Sequence, residues 1–329
     1  MIVHAAAAQR LVTVDEYRAF RRDGFLVVRG LVAPHEIAEL RAHTEDVMHG
    51  RLPEQRDGTI PAPPADASPL ERALHLVRIH MLHRQLELHE RYLLHPRVLD
   101  VLQALIGPDV LALQTMLFLK PPGREGQGWH QDSYYIPTEP DSLCGAWIAI
   151  DDCDEYNGAM WFARGSQIEP AYPSRAYGHG DRMLADIGWA EHTSDMDDAV
   201  NQLAPVADRY PQVLVTAKAG DVVFFGGHVL HRSKPNRSDR FRRAFVSHYC
   251  NARAYTAWGA MSPAEDPHAS HTVDPVTGAS NGSHILARGD THMPYAKPKF
   301  GTECAALAEA QERRRQREFC AADHGPGAT

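Results

Sequence analysis

The hydrophobic periodicity of the sequence changes at Gly107, and that change limits the folds open to the chain. Before it, "TVDEYRAFRRDG" and "APHEIAELRAHTEDVMHG" carry apolar residues at helical spacing. After it, "DVLALQTMLFLKPPG", "CGAWIAIDD", "GDVVFFGG" and "RRAFVSHYC" are short aromatic and β-branched runs between turn residues, as strands are. Helices followed by strands argue against regular βαβ alternation. They predict a mainly β fold, a sandwich or barrel with supporting helices.

Several segments carry predictions of their own. "FLVVRG" is typical of a short buried strand, and the periodicity predicts a helix from about Leu70 to Leu94. Residues 168–210 and 251–301 are long irregular segments of the kind that form lids or binding walls. "ECAALAEAQERRRQREF" has the composition of a charged helix.

We expect one domain over residues 1–329. Within it we expect a helical support over about 1–107, a β core over about 108–250, and a loop-rich and helical extension over about 251–329.

Composition and charge narrow the class of partner. The 329 residues are 43% hydrophobic, which is enough for a sizeable core, and the formal net charge is -8. That charge predicts neither a nucleic-acid partner nor an anionic membrane surface, so a small molecule is the expected ligand. No apolar run reaches the roughly 18 residues that span a bilayer, and no signal peptide is recognisable. Five cysteines without a CxxC pair indicate reduced thiols, and we expect a cytoplasmic protein.

The stretch "GWHQDSYY" places His130 and Asp132 two residues apart. On an extended strand, alternate side chains share a face, so the imidazole and the carboxylate are predicted to point the same way. Together they supply two arms of a metal chelate, and a site with two histidines and one carboxylate needs one more histidine. An HxD pair alone is weak support, because such pairs also lie solvated on strand surfaces.

Two histidines in "GDVVFFGGHVLHRSKPNRSDRFRRAF" are candidates for the third ligand. His228 and His231 are three apart, so on a strand only one of them can face the site. His228 follows a Gly-Gly bend, whereas His231 lies in an extended run, and we therefore favour His231. Three protein ligands leave metal positions open, as in catalytic rather than structural sites.

At this point the sequence resembles a known family. "KPPGREGQGWHQD", "WIAIDDCDEYNGAMWFARGS" and "GDVVFFGGHVLHRSKPNRSDRFRRAFVSHY" are similar to the phytanoyl-CoA dioxygenase family of Fe(II)- and 2-oxoglutarate-dependent oxygenases. The resemblance implies a double-stranded β-helix, the cupin-like jelly roll, with Fe(II) held by His130, Asp132 and His231. It also implies 2-oxoglutarate as cosubstrate, O2 as oxidant, and release of succinate and CO2.

The resemblance also implies a cosubstrate pocket. Arg242, 11 residues after His231, stands where the family's arginine meets the far carboxylate of 2-oxoglutarate, which a guanidinium can grip with two parallel hydrogen bonds. Gln114, Trp147 and Ser233 match cosubstrate-pocket positions. The plainer interpretations remain open: Trp147 as a core residue, Gln114 as an interior amide, and Lys120 as a strand-end lysine. By strand parity, Arg243 is predicted to point outward.

Alternative functions stay open as well. Hydroxylation of a small-molecule metabolite is the default outcome, but the same iron chemistry can give desaturation, epimerisation or cyclisation. A jelly roll that binds metal without turnover, as a sensor or scaffold, is an alternative of another class. A rival metal site of His80, His83 and Glu87 would lie on one face of the predicted helix. We favour the alternative that these histidines flank the core.

Overall fold

The computed structural model describes residues 10–64, 66–68, 71–72, 76–172, 194–256, 284–291 and 298–302. The predicted C-terminal helix and much of the two long irregular segments lie outside these residues. The helices are α1 (Val14–Asp23), α2 (Pro34–Met48), α3 (Pro53–Arg56), α4 (Glu87–Leu93), α5 (Pro96–Ile106), α6 (Asp132–Tyr135) and α7 (Ala204–Ala207). The strands are β1 (Phe25–Val28), β2 (Arg78–His80), β3 (Val110–Lys120), β4 (Gln127–His130), β5 (Cys144–Ala149), β6 (Met160–Ala163), β7 (Gln212–Val215), β8 (Val222–Gly226), β9 (His231–Ser233), β10 (Arg242–Asn251) and β11 (Ile285–Arg288).

The strands form two antiparallel sheets, which is the predicted jelly-roll architecture. The larger sheet has seven strands in the order β1, β8, β5, β10, β3, β11, with β2 also paired to β3. The smaller sheet has the order β4, β9, β6, β7. Strands that are distant in sequence thus become neighbours, and β4 and β9, which carry His130 and His231, lie side by side.

The two faces of the larger sheet pack into different hydrophobic cores. On β5, Ala146 and Ile148 belong to the core shared with the N-terminal helices, whereas Trp147 and Ala149 belong to the core between the sheets. This alternation follows from the two-residue repeat of a strand. Helix α5 buries one apolar face of Val98, Leu102 and neighbouring residues against the first core. The helices therefore cover one side of the sheet and leave its other side to line the interior of the jelly roll.

The first helix and strand are as the sequence predicts. Thr13 caps α1 and accepts from the backbone N–H of Glu16, and Gly24 ends the helix in the left-handed conformation that favours glycine. Strand β1 follows at once and pairs with β8, with Phe25 opposite Phe225.

The predicted helix over Leu70–Leu94 is wrong. Within the described part of this stretch, residues 78–80 form strand β2, which pairs with β3. A short 3₁₀ turn follows Met81, which has a φ of 64° and whose N–H donates to the Thr115 carbonyl oxygen. Among the described residues of this stretch, 71–72 and Glu87–Leu93 are α-helical, with the strand and the 3₁₀ turn between them. Pairing with a distant strand overrides the local apolar periodicity here.

No helix in the described ranges combines the length and the apolar character that a bilayer crossing demands.

Candidate metal centre

The fold brings His130, Asp132 and His231 together. His130 ends β4 and lies directly opposite His231, the first residue of β9. One ligand atom from each of the three residues lies within 4.8 Å of the others, and Asp132 Oδ1 is 3.8 Å from Nε2 of each histidine. Contrary to the strand prediction, Asp132 begins helix α6 instead of continuing β4. The turn into that helix still aims the carboxylate at both imidazoles.

Each histidine of this cluster is held so that its Nε2 is turned toward the carboxylate of Asp132. His130 Nδ1 lies 2.8 Å from the Gly128 carbonyl oxygen, and His231 Nδ1 lies 3.1 Å from that of Val229. Because a carbonyl can only accept, both Nδ1 atoms carry hydrogen, and both Nε2 lone pairs face the cluster. Metal-ligating histidines usually donate from the other ring nitrogen to a carbonyl or carboxylate oxygen in this way. Two neutral imidazoles and one carboxylate with open positions suit Fe(II).

The Asp132 carboxylate is ionised by its neighbours. Burial alone would raise the pKa of Asp132, but His231, His248 and His130 hold it well below its usual range. His248 Nε2 donates to Asp132 Oδ2 over 2.7 Å. The lowered pKa favours the ionised carboxylate, which is the form that binds a metal.

His228 does not join the cluster. Its Nδ1 lies 2.8 Å from the Glu169 carbonyl oxygen, and its Nε2 faces Asp141 at 3.6 Å. The rival arrangement of His80, His83 and Glu87 also fails, because those residues lie on a strand, a 3₁₀ turn and a separate helix. Over the described ranges, the triad is the one group of three potential ligands within reach of a common ion.

A cavity of about 830 Å³ opens onto the cluster. Its lining includes all four predicted cosubstrate residues, Gln114, Trp147, Ser233 and Arg242. Two aromatic residues near the cluster lie in different surroundings. Tyr135 lines the cavity, whereas Trp129 packs into a separate apolar core with the Arg232 guanidinium 4.5 Å from the centre of its ring.

Arg242 is a buried cation that has no anionic partner in the part of the chain that the structure describes. Among the described residues it makes no ion pair with a carboxylate, and its Nε has no hydrogen-bond partner. The guanidinium carbon lies 5.8 Å from the centre of the Trp147 ring, and burial lowers the pKa of Arg242. Leaving a buried charge unpaired is costly, so this guanidinium indicates an anionic ligand in the cavity.

Arg243, the next residue, was predicted to point outward. It faces the other side of β10 from Arg242, but it does not reach solvent. It is buried, donates to both carboxylate oxygens of Asp151 at 2.7 and 2.9 Å, and pairs with Glu45. The helical layer covers that face of the sheet and supplies the acidic partner.

Lys120 and His248 also line the cavity, and sequence reasoning did not assign them to it. Lys120 is buried beside Ser233, so it is more than a strand-end lysine. His248 lies between Asp132 and Gln114, with its Nδ1 2.9 Å from Gln114 Nε2. The signal was present for His248, because it shares strand parity with Arg242.

The comparisons with known proteins agree with this geometry. The family profile of phytanoyl-CoA dioxygenase (PhyH) matches residues 20–244. The peroxisomal phytanoyl-CoA dioxygenase of Rattus norvegicus is 27% identical over 249 residues, which cover 73% of this chain and 68% of that protein.

Solved structures share the fold. The non-heme monooxygenase ThoJ superposes with a TM-score of 0.56 at 25% identity, covering 92% of this chain and 96% of that one. The epimerase SnoN, solved in complex with Fe3+, alpha ketoglutarate and nogalamycin RO, has a TM-score of 0.54 at 20% identity, covering 87% and 95%. The chain is thus an enzyme of the phytanoyl-CoA dioxygenase family, whose members are non-haem iron dioxygenases that use Fe(II), 2-oxoglutarate and O2.

Proposed function

We propose that this enzyme hydroxylates an aliphatic carbon of a small-molecule metabolite while 2-oxoglutarate is converted to succinate and CO2. One observation carries the proposal: the buried guanidinium of Arg242, which pairs with no carboxylate among the described residues, lines the same cavity as the triad. A metal cluster alone would serve many roles. Three metal ligands and an arginine in one cavity suit a dicarboxylate, which can bind the metal at one end and the arginine at the other.

In this proposal His130, Asp132 and His231 hold Fe(II), which supplies the oxidising chemistry when O2 and cosubstrate are present. Arg242 grips the far carboxylate of 2-oxoglutarate, and the Ser233 hydroxyl donates to the same group. Trp147 packs beside the guanidinium and closes that end of the cavity. The protein thus orients the cosubstrate and excludes water around it.

The primary substrate occupies the rest of the cavity. Tyr135, whose ring lies edge-on to His130 with centroids 6.5 Å apart, is 40% exposed and stands where a substrate would enter. The Tyr135 hydroxyl donates to Ser194 Oγ over 3.4 Å, and a substrate oxygen would replace that acceptor. Specificity is expected to come also from residues within 168–210 and 251–301.

The outcome depends on where the substrate carbon sits relative to the metal. Desaturation, epimerisation and cyclisation use the same triad, and the product separates them from hydroxylation. Hydroxylation adds one oxygen atom, desaturation or ring closure removes two hydrogen atoms, and epimerisation leaves the mass unchanged. A non-catalytic sensor is disfavoured, because it would need neither Arg242 nor an open metal position.

We extend the proposal to organisation and location. All three segments, about 1–107, 108–250 and 251–329, would form one oxygenase domain, because β1 and β11 join the same sheet as the central strands. A reducing compartment such as the cytoplasm is supported by the free thiols of Cys144, Cys153 and Cys250. Cell fractionation would test the location.

The function is tested with the purified protein, first without O2. Adding Fe(II) and 2-oxoglutarate is expected to give the weak visible charge-transfer band of the chelate, and admitting air is expected to release succinate. His231→Ala should abolish both signals, whereas His228→Ala, in a histidine outside the cluster, should keep the band. Absence of band and of succinate in the wild-type protein would refute the proposal. Coupling of succinate release to candidate metabolites, read by product mass, then identifies substrate and outcome.

A further inference from the structure

We propose that His248 is a positioning residue that makes Asp132 bind the metal through one carboxylate oxygen only. This inference rests on the proposed function, because it concerns the same metal centre. It assigns a role to a buried histidine that is not itself one of the three ligands.

The two carboxylate oxygens of Asp132 have different partners. Oδ1 lies 3.8 Å from Nε2 of both His130 and His231, at the corner where an ion would sit. Oδ2 accepts a hydrogen bond from His248 Nε2 at 2.7 Å. An oxygen held in so short a hydrogen bond is not free to swing onto the metal, so the carboxylate offers one ligand atom.

The position of His248 is itself fixed. It lies on β10 with 2% of its surface exposed, and it faces Gly145 of β5 across the sheet. The Phe225 ring stands perpendicular to the imidazole, with ring centroids 6.4 Å apart. A side chain at Gly145 would collide with that phenyl ring, because the added Cβ would come within 2.5 Å of it. Packing therefore leaves the imidazole little freedom to turn.

Gln114 completes the chain of contacts from the opposite side. Its Nε2 lies 2.9 Å from His248 Nδ1, and Gln114 is also buried. A neutral imidazole donates from one nitrogen and accepts at the other. With the Gln114 amide donating to Nδ1, the hydrogen of His248 is placed on Nε2, where it meets Asp132. Gln114 thus acts through His248 in addition to lining the cavity.

This arrangement has a consequence for the metal. A facial triad works because three positions opposite the protein ligands stay open for other molecules. If Asp132 were to bind through both oxygens, one of those positions would be lost. His248 therefore keeps the coordination number low, and its removal should change metal affinity and the cosubstrate chelate rather than only fold stability.

The test compares three substitutions at one position. His248→Gln can place an amide N–H where Nε2 stood, His248→Asn reaches only as far as Nδ1, and His248→Leu removes the donor. We measure Fe(II) affinity by anaerobic titration, the energy of the Fe(II)–2-oxoglutarate band, and thermal unfolding. The Leu and Asn variants should change the Fe(II) affinity by roughly 10-fold or more and shift the band, because the released oxygen of Asp132 can then bind the metal. The Gln variant should recover affinity to within about threefold of the wild type.

A purely structural role predicts something different: all three variants would unfold at lower temperature while the Fe(II) affinity and band stay at wild-type values. That result, or rescue by Asn equal to rescue by Gln, would overturn the inference. Gln114→Met provides a second variant that leaves the imidazole in place, and it should shift the band in the same direction by a smaller amount. If the wild-type protein showed no band, the proposed function would fail instead, so the two failures are distinguishable.

Discussion

Lys120 Nζ lies 3.0 Å from Ser233 Oγ, so a buried amine contacts the strand that begins with His231. Its other contact is the Lys234 carbonyl oxygen, at 2.6 Å. Burial and the nearby Arg242 lower the pKa of Lys120 to about 6, with Arg124 acting in the same direction and Cys153 and Glu125 against it. The amine is therefore largely neutral at neutral pH when the cavity holds no anion.

Binding of 2-oxoglutarate is expected to take up a proton at Lys120. A dianion beside the amine raises its pKa, so the complex holds a proton that the free protein lacks, and affinity falls as the pH rises above about 6. We expect about tenfold weaker binding per pH unit at most, until the pKa of the complex is passed. Calorimetry of the Fe(II) protein in two buffers of different ionisation enthalpy measures the uptake. Lys120→Met should abolish it, and uptake that persists in this variant would contradict the assignment.

Arg242 and Arg243 provide a matched pair on one strand. Arg242→Lys should weaken 2-oxoglutarate binding by about tenfold or more, because a lysine cannot reproduce two parallel hydrogen bonds to one carboxylate. Arg243→Lys breaks a bidentate pair with Asp151 on the opposite face. It should lower the unfolding temperature and leave the dissociation constant within about twofold. Equal losses of cosubstrate affinity in both variants would show that Arg242 has no special role.

The Gly226–Gly227 pair tests how Asp132 is placed. A Cβ at Gly227 would lie 2.1 Å from Ser133 Oγ and 2.8 Å from the Leu143 side chain, whereas at Gly226 the nearest atom is 3.8 Å away. Since Ser133 follows Asp132 at the start of α6, Gly227→Ala should destabilise the fold by about 1–3 kcal/mol and weaken Fe(II) binding. Gly226→Ala should do neither. Thermal unfolding and metal titration of both variants check this, and indistinguishable behaviour would disprove it.

Glu36 should make stability depend on pH in the acid range. Its carboxylate accepts from Ala33 N and faces His95 Nε2 at 3.0 Å, and the hydrogen bond to His95 does most to lower the pKa of Glu36 to about 2. Because the pKa of Glu36 is lower in the folded protein, its carboxylate stabilises the fold at pH values above 4.5, the pKa in the unfolded chain. This contribution is lost as the pH falls towards about 2.

Glu36→Gln should therefore lower the free energy of unfolding by about 1–2 kcal/mol at neutral pH. The difference from the wild type should shrink below about pH 4.5. Urea unfolding at several pH values measures it. A difference that stays constant down to acid pH would mean that charge on Glu36 contributes nothing.

Local sequence rules indicated His130, Asp132 and His231 because the signal at each residue is short-range, and the structure places the three side chains together. The HxD spacing, the preference for His231 over a histidine beside two glycines, and strand parity around Arg242 are each readable within a few residues. Parity along β10, extended by two residues past Val246, would have reached His248 as well. Asp132 shows the limit of parity, since the strand ends at His130 and a helical turn aims the carboxylate instead.

Long-range pairing could not be predicted from the same rules. The apolar spacing between residues 70 and 94 is helical, yet part of it becomes β2 because β3 offers it a partner. Arg243 was expected at the surface, but nothing near it in sequence indicates that α2 places Glu45 against it. Both departures arise where residues distant in sequence decide the environment.

Strand β1 covers β8 along four paired positions, from Phe25 opposite Phe225 to Val28 opposite Val222. The strand that leads to His231 is consequently an interior strand. A shortened protein beginning after residue 30 would turn it into an edge, with bare N–H and C=O groups ready to pair with another molecule. Such a fragment should self-associate. Trimming the protein to its β core for crystallisation or engineering would therefore promote aggregation.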